Sequence, residues 1–184
     1  MKIQGSTQLN PNWLLPGATK DAQSITRDWQ FTSQALIADV RFKEVCHVPK
    51  EGGCLTEIFR SDWNLDEQGV EQVFQVKLEA GRLSAWHAHE FAFDRIFCNH
   101  GMMKLVLYDA RGNSPTFGAI NEFKIGDARP TVVIIPPHVW HGIQNISAGT
   151  SSIVNLVNKS YSYEDPDHWR LPWNSPEIPY SFTY

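Results

Sequence analysis

The sequence predicts an all-β fold, a sandwich or barrel built as a single domain. Short segments of alternating apolar and polar residues recur between about residues 36 and 161, for example VEQVFQVKLEAG at 70–81. Gly, Pro and Asn separate these segments at short intervals, which is typical of antiparallel strands rather than of alternating strands and helices. A chain of 184 residues can bury a substantial core in one domain.

The elements are predicted in the following order. Residues 1–36 form an N-terminal arm that is irregular or, from about Thr19 to Gln34, weakly helical, and residues 37–184 form the domain. A Pro-rich, aromatic tail at 163–184 is expected to cover the surface as an irregular segment. Extended segments are predicted at 36–48, 54–63, 70–81, 95–99, 102–111, 130–137 and 151–161.

Composition excludes several classes of function. The net charge of −4, with mixed signs throughout, gives no basic surface for nucleic acid, and no apolar run is long enough to span a membrane. The first twenty residues lack a signal-peptide pattern, so we expect a cytoplasmic protein. Three cysteines without a Cys-x-x-Cys spacing suit a reducing compartment. Seven tryptophans suggest a binding cavity or a large interface.

The segment GRLSAWHAHEFAFDRIFCNHG, residues 81–101, carries the most informative motif. On a strand, His87 and His89 point to the same face, and Asp94 is expected to return to that face on a following antiparallel strand. A further imidazole, His141, follows a double-proline turn. Three imidazoles and one carboxylate are donors that zinc, iron, nickel or manganese accept. The pattern therefore predicts a divalent metal site, whereas His47 and His168 lie outside the motifs and are expected at the surface.

Both histidine segments resemble the two signature motifs of cupins, which are small jelly-roll β-barrels with a site in the barrel mouth. Over roughly residues 37–182 the chain resembles the dTDP-4-dehydrorhamnose 3,5-epimerase family of cupins. The resemblance implies a cupin-type jelly roll, a homodimer built by exchange of N-terminal strands, and a nucleotide-sugar ligand. It rests on four pieces in order, GGCLTEIFRSDW, GRLSAWHAH, KLVLYDARGNSPTFG and IPPHVWHG.

The resemblance also implies residue roles. Family members remove protons next to the 4-keto group of a deoxyhexose, using a His base, a Tyr acid, and a Lys and an Arg that stabilise the enolate. His87 falls on the catalytic His, while Gln72 and Glu57 fall on residues that line the sugar site, Glu57 in the exchanged strand. We assign His87 and Glu57 to catalysis. Gln72, His100 and Tyr163 are assigned to substrate binding.

Four other catalytic positions of the family are changed. Ser84 replaces the Arg and Asp94 the Lys, and a carboxylate would repel an enolate. Leu105 replaces the Asp that orients the base, and Val157 replaces the acid Tyr. A divalent metal on the predicted site could supply the missing positive charge. A ligated His87 would then no longer be a free base; the candidates to move the proton are Glu57, Glu90, His100, Tyr161, Tyr163 and a metal-bound water.

Three functions remain open from the sequence. The first is epimerisation or isomerisation of a 4-keto-6-deoxyhexose linked to a nucleoside diphosphate. The second is a metal-dependent cupin oxygenase, which a three-His, one-carboxylate site would suit. The third is a non-catalytic protein that binds a sugar nucleotide or carbohydrate, favoured by the changed family positions.

Overall fold

A computed structural model describes residues 13–29, 32 and 35–183, and residues 1–34 and 35–184 form two compact units. No helix occurs in the described part of the first unit, so the helix predicted from Thr19 to Gln34 is wrong there. Thr32 N donates to Ser24 O eight residues back, and Trp29 adopts a φ of 58°, which a right-handed helix cannot contain. The rest of that prediction, and residues 1–12 of the arm, lie outside the described residues.

The second unit is an all-β jelly roll, as the sequence predicts. The described residues form twelve strands. Their bounds are β1 Arg41–Glu44, β2 Val48–Lys50, β3 Gly53–Leu55, β4 Gln72–Leu78, β5 Leu83–Ala88, β6 Asp94–His100, β7 Met102–Asp109, β8 Ile120–Gly126, β9 Thr131–Ile135, β10 Val139–Asn145, β11 Ser151–Val157 and β12 Trp169–Arg170.

Two five-stranded antiparallel sheets face each other. One has the order β1-β9-β6-β11-β4 and the other the order β12-β5-β10-β7-β8, while β2 and β3 form a separate hairpin. A core of buried aliphatic side chains lies between the sheets, with Leu105, Leu107, Val133 and Ile135 at most 1% exposed. Alternate residues of each strand point inwards, so this core follows from the period-two pattern.

Several elements differ from the predicted pattern. The extended segment expected at 54–63 is a strand only as far as Leu55, the end of β3, and Ser61–Trp63 forms a single-turn 3-10 helix. Strands β8 and β10 lie outside the predicted extended segments, although the apolar residues Phe123 and Ile125 of β8 alternate with charged ones. The tail at 163–183 is mostly irregular, as expected, but it also adds β12 to the second sheet. Among the described residues, no helix has the length and hydrophobicity needed to cross a membrane.

The tail packs on the outer face of the second sheet. Ile178 and Phe182 are buried there against Trp86. The indole Nε1 of Trp86 donates to the carbonyl of Trp173 at 3.2 Å, which satisfies the one polar atom of a fully buried side chain. The tail therefore has a fixed position beside β5, the strand that carries the histidine motif.

Candidate functional site

The four predicted metal ligands converge at one end of the sandwich. One potential donor atom from each of His87, His89, Asp94 and His141 lies within 4.8 Å of the other three. His87 and His141 are direct partners in the register of β5 and β10, and their ring centroids are 4.0 Å apart. A β-bulge follows His141, between it and Ile143. The pairing of β5 with β10 therefore explains why the side chains of His87 and His141 lie next to each other.

Asp94 reaches the cluster from the opposite sheet. The prediction that it would return on the next strand of the same face is wrong, because β6 pairs with β9 and β11 and not with β5. The chain crosses between the sheets over residues 89–93. Asp94 is the first residue of β6 and is 2% exposed. The site therefore bridges the two sheets, with imidazoles on one and the carboxylate on the other.

Backbone carbonyls fix the tautomers of two imidazoles. His89 Nδ1 donates to the carbonyl of Asp167 at 2.5 Å, and His141 Nδ1 donates to that of Val139 at 3.0 Å. Because a carbonyl only accepts, each Nδ1 carries hydrogen and each Nε2 is left as the potential ligand atom. Such outer hydrogen bonds are the usual way in which metal-binding histidines are oriented.

The two Nε2 atoms approach the same carboxylate oxygen. Asp94 Oδ2 lies 3.0 Å from His141 Nε2 and 3.2 Å from His89 Nε2, while Oδ1 accepts from Asn155 Nδ2 at 2.6 Å. Neither Asp94 Oδ2 nor His141 Nε2 forms an aligned hydrogen bond within the described part of the chain, and both are buried, as is the unpaired Nδ1 of His87. Buried atoms without partners are rare and costly, so their convergence fits a site that holds a cation.

The surroundings shift the pKa values of the donors in different directions. Burial alone would raise the pKa of Asp94, but His141 and His89 hold that pKa well below its usual range. Burial lowers the pKa of His89, but its interactions with Asp94 and Asp167 outweigh this and raise the pKa overall. Burial and the neighbouring His141 bring the pKa of His87 well below 6.5, so its imidazole stays neutral. A metal would therefore compete with a proton at His89 but not at His87.

Asp167 anchors the crossing between the sheets. Its carboxylate accepts hydrogen bonds from the backbone N–H groups of Glu90, Phe91 and Ala92 at 2.6 to 3.0 Å. Partial burial opposes ionisation, but these hydrogen bonds lower the pKa of Asp167 overall. The same residue therefore holds both His89, through its carbonyl, and the turn that leads to Asp94.

A cavity of about 750 Å³ opens beside the cluster. His87, His89 and Asp94 line it, whereas His141 lies behind them. The apolar part of its lining comprises Phe74, Val76, Ile96, Ile143, Ile153 and Val157. The polar part includes Ser160, Tyr161, Ser162, Lys159 and Arg170. The volume and mixed lining are those of a pocket for an organic ligand.

The other predicted site residues divide between cavity and surface. Gln72 lines the cavity, and its Oε1 accepts from the backbone N–H of Tyr161 at 2.9 Å. Tyr163 is 82% exposed and does not line the cavity, although its ring contacts that of Tyr161. His100 lies at the far end of β6, roughly 20 Å along the strand from Asp94. Glu57 is exposed and pairs with Arg60.

The changed family positions divide between the cavity and the core. Ser84 and Val157 both line the cavity. Leu105 is buried in the core and is 0% exposed. Lys159 and Arg170 also line the cavity, and neither occupies a changed position.

His168 is the site residue that the sequence did not reveal. The expectation that it lies at the surface is wrong, because it lines the cavity. Its ring centroid lies 5.0 Å from those of both His87 and His89. The pairing of Trp169 with Ala88 brings it there. A single His in an irregular, Pro-rich tail has no spacing pattern, so only the β12–β5 pairing could have indicated its position.

Comparison with known proteins gives a consistent family match. The family model for dTDP-4-dehydrorhamnose 3,5-epimerase matches residues 34–183. A probable low-salt glycan biosynthesis epimerase of Haloferax volcanii is 35% identical over 139 residues, which cover 75% of this chain and 89% of that protein. A spore coat polysaccharide biosynthesis protein of Bacillus subtilis is 30% identical over 148 residues, covering 80% of this chain and 97% of the relative.

Solved structures share the fold. A dTDP sugar isomerase from Desulfovibrio desulfuricans superposes with a TM-score of 0.74 at 25% identity, covering 79% of this chain and 91% of the other. A dTDP-4-dehydrorhamnose 3,5-epimerase from Bacillus anthracis, with TDP and PPi bound, gives a TM-score of 0.71 at 18% identity, covering 80% and 86%.

Proposed function

We propose a reaction from one premise: the chain belongs to the dTDP-4-dehydrorhamnose 3,5-epimerase family and is a carbohydrate epimerase. The proposed substrate is a nucleoside-diphosphate-linked 4-keto-6-deoxyhexose. The proposed reaction is inversion at a carbon next to the ketone, through loss and return of a proton. A divalent metal on His87, His89, Asp94 and His141 is proposed in place of the fixed cations that the resemblance leads one to expect.

One observation carries the metal proposal. Two imidazole Nε2 atoms lie 3.0 and 3.2 Å from the same buried oxygen of Asp94, without an aligned hydrogen bond to it. An imidazole lone pair and a carboxylate oxygen repel each other at that distance unless a cation or a proton lies between them. Bound there, a divalent metal would polarise the sugar ketone as a Lewis acid.

The changed residues support the same conclusion. An enolate needs a positive charge near its oxygen, and Ser84 cannot provide one. Asp94 would oppose the enolate if it were an unpaired carboxylate. As a metal ligand, Asp94 would instead help to retain the cation. The loss of the Arg at position 84 and the gain of a carboxylate at position 94 would then both be explained by a bound metal.

The cavity suits a nucleotide sugar in size and character. Its volume of about 750 Å³ falls within the range for organic ligands. Lys159 and Arg170 provide positive charge for a diphosphate, and the apolar part of the lining suits the methyl group of a 6-deoxy sugar. The nucleotide bound to the Bacillus anthracis relative supports this class of ligand.

We also propose the homodimer that the family resemblance implies. Glu57 is exposed and does not line the cavity of its own chain, so the catalytic role assigned to it would there have no substrate. Exchange of the N-terminal strands would bring Glu57 to the cavity of a second copy. Gel filtration with light scattering tests this, and a monomer at micromolar concentration contradicts it.

Solvent deuterium exchange tests the proposed reaction. Metal-loaded protein is incubated in D₂O with a dTDP-linked 4-keto-6-deoxyhexose, and deuterium at the carbons next to the ketone is followed by NMR. We expect exchange by the wild type and by His47→Asn, whose side chain lies outside the cavity, but not by His87→Ala. Absence of exchange by the wild type contradicts the proposal. Bound iron with oxygen uptake would favour the oxygenase, and nucleotide-sugar binding without metal or turnover would favour a binding protein.

A further inference from the structure

A second cavity, of about 480 Å³, lies at the outer face of the sheet that carries β5, β10 and β12. Its residue Trp140 packs against the hydrophobic cluster of that outer face, to which the tail also contributes. The second cavity meets the larger one at His89, Glu90 and Trp169, but the rest of its lining is separate. Neither the proposed metal nor the proposed substrate accounts for this second cavity.

Two tryptophans flank an alanine in the second cavity. Trp169 of β12 is the register partner of Ala88 in β5. On the other side of β5, His141 is the partner of His87. Trp140 and Ala88 are the next residues towards the same end, so the antiparallel register places them opposite each other. Because Ala88 carries only a methyl group, the space above it, between the two indoles, is open.

The spacing of the two tryptophans suits one ring held between them. Their backbones are two strand spacings apart, which is roughly 9–10 Å. A ring in contact with an indole on each side needs roughly 7–8 Å between the two indole faces. Trp169 is 60% exposed and Trp140 is only partly buried, so both retain surface that a ligand can cover. Covering such aromatic surface stabilises a complex.

The rest of the lining is polar and carries charges of both signs. Within residues 13–29, 32 and 35–183, the carboxylate of Glu90 and the imidazole of His138 have no hydrogen bond or ion pair. A carboxylate accepts and an imidazole donates or accepts, so both suit the hydroxyl groups of a ligand. The guanidinium of Arg111 already pairs with Asp109 and Asp39. An anionic ligand would therefore meet a free carboxylate and an arginine that is already neutralised.

We propose that the second cavity binds a pyranose ring of a carbohydrate. A pyranose presents C–H groups on its faces and hydroxyl groups at its edge, which matches the indoles of Trp140 and Trp169 and the polar groups of Glu90 and His138. This sugar is distinct from the substrate proposed for the larger cavity. Its binding involves no metal, ketone or proton transfer, so the proposal stands independently of the proposed reaction.

Proton–nitrogen correlation NMR of the indole Nε1–H groups tests the site. Methyl glycosides of glucose, galactose, mannose, rhamnose and N-acetylglucosamine are titrated singly to about 50 mM, above the dissociation constants of roughly 0.1–10 mM expected for ligands of this size. At least one should shift the resonances of Trp140 and Trp169 together. Trp173, which is 52% exposed and lines neither cavity, is the internal control and should not shift. Replacing each of the three by Phe assigns its resonance.

Two variants test the stacking contact. Trp169→Ala should weaken binding of the responding glycoside by at least about tenfold, because one of two aromatic faces is lost. The matched control is Trp173→Ala, in which affinity should stay within about twofold of wild type. The resonance of the Trp86 indole, which is buried beneath the tail, should be retained in Trp169→Ala and shows that the variant is folded.

Three results would overturn the assignment. Unchanged resonances of Trp140 and Trp169 with all five glycosides would exclude a carbohydrate site. A shift of Trp169 without one of Trp140 would place the sugar in the larger cavity, which Trp169 also lines. Shifts of both with thymidine but with no glycoside would make the site one for a nucleobase. None of these results depends on whether the protein exchanges deuterium into a keto sugar.

Discussion

His141 Nε2 and Asp94 Oδ2 lie 3.0 Å apart across the two facing sheets without forming an aligned hydrogen bond. Both atoms are buried. Their other polar atoms already have partners, since His141 Nδ1 donates to Val139 and Asp94 Oδ1 accepts from Asn155. The free positions of the two side chains are therefore directed at each other, and the cation proposed above would satisfy both.

Replacing this carboxylate should remove the metal. We expect the wild type to bind one divalent ion per chain and Asp94→Asn to bind it at least about 100-fold more weakly, since a ligand is lost and not merely an outer contact. Competition with a chelator of known affinity measures the change. Glu164→Gln, an exposed change in the tail, is the control. Equal affinities in Asp94→Asn and the wild type would exclude the proposed centre.

Asp167 should affect the affinity for the metal, although it is not one of the four proposed ligands. Asp167→Ala removes the acceptor for three backbone N–H groups at residues 90–92 and loosens the carbonyl that orients His89. We expect metal affinity to fall by about 10- to 100-fold, the usual effect of losing an outer hydrogen-bond partner. Calorimetric titration with Zn²⁺ provides the measurement, and Glu164→Ala is the matched control. An unchanged affinity would mean that the crossing holds its shape by other contacts.

The stability of metal-free protein should depend on His89 in a defined direction. The pKa of His89 is raised in the folded state, so its charged contact with Asp94 stabilises the fold fully below the unfolded value of 6.5. That contribution is lost as the pH rises through the folded pKa. We expect the difference in unfolding free energy between wild type and His89→Asn to shrink over this range, as measured by urea denaturation in EDTA. A difference that grows with pH would contradict the raised pKa.

Replacement of Gly101, at the turn between β6 and β7, should lower the stability of the fold. Its φ is 73°, and a Cβ added there would overlap Ser151 Oγ and lie 2.9 Å from Ser151 Cβ. We expect Gly101→Ala to destabilise the protein by about 1–3 kcal/mol through backbone strain and the clash. Gly149→Ala is the control, because a Cβ there meets nothing within 4 Å. Thermal unfolding compares them, and equal midpoints would contradict the expectation.

The sequence predicted the fold and the four-donor cluster because both depend on short-range patterns. Period-two alternation identified most strands, and it placed His87 and His89 on one face. Two signature segments pointed to Asp94 and His141. The facing-sheet position of Asp94 could not be predicted, since it depends on where the chain crosses between sheets and not on alternation.

Other features were hidden for different physical reasons. In β8 the charged residues Glu122 and Lys124 lower the average hydrophobicity of the segment, although they alternate with apolar residues as in other strands. His168 and Asp167 lie in an irregular segment whose position is set by tertiary pairing of only two residues with β5. Such a short strand has no sequence signature of its own.

The dependence of the site on the tail has a consequence for biosynthesis. All four donors precede residue 158, but the carbonyl that orients His89 belongs to Asp167. Translation proceeds from the N-terminus, so a nascent chain can collapse into a sandwich while this residue is still inside the ribosome. Competence to capture the ion would then be acquired late, after most of the polypeptide has already adopted its shape.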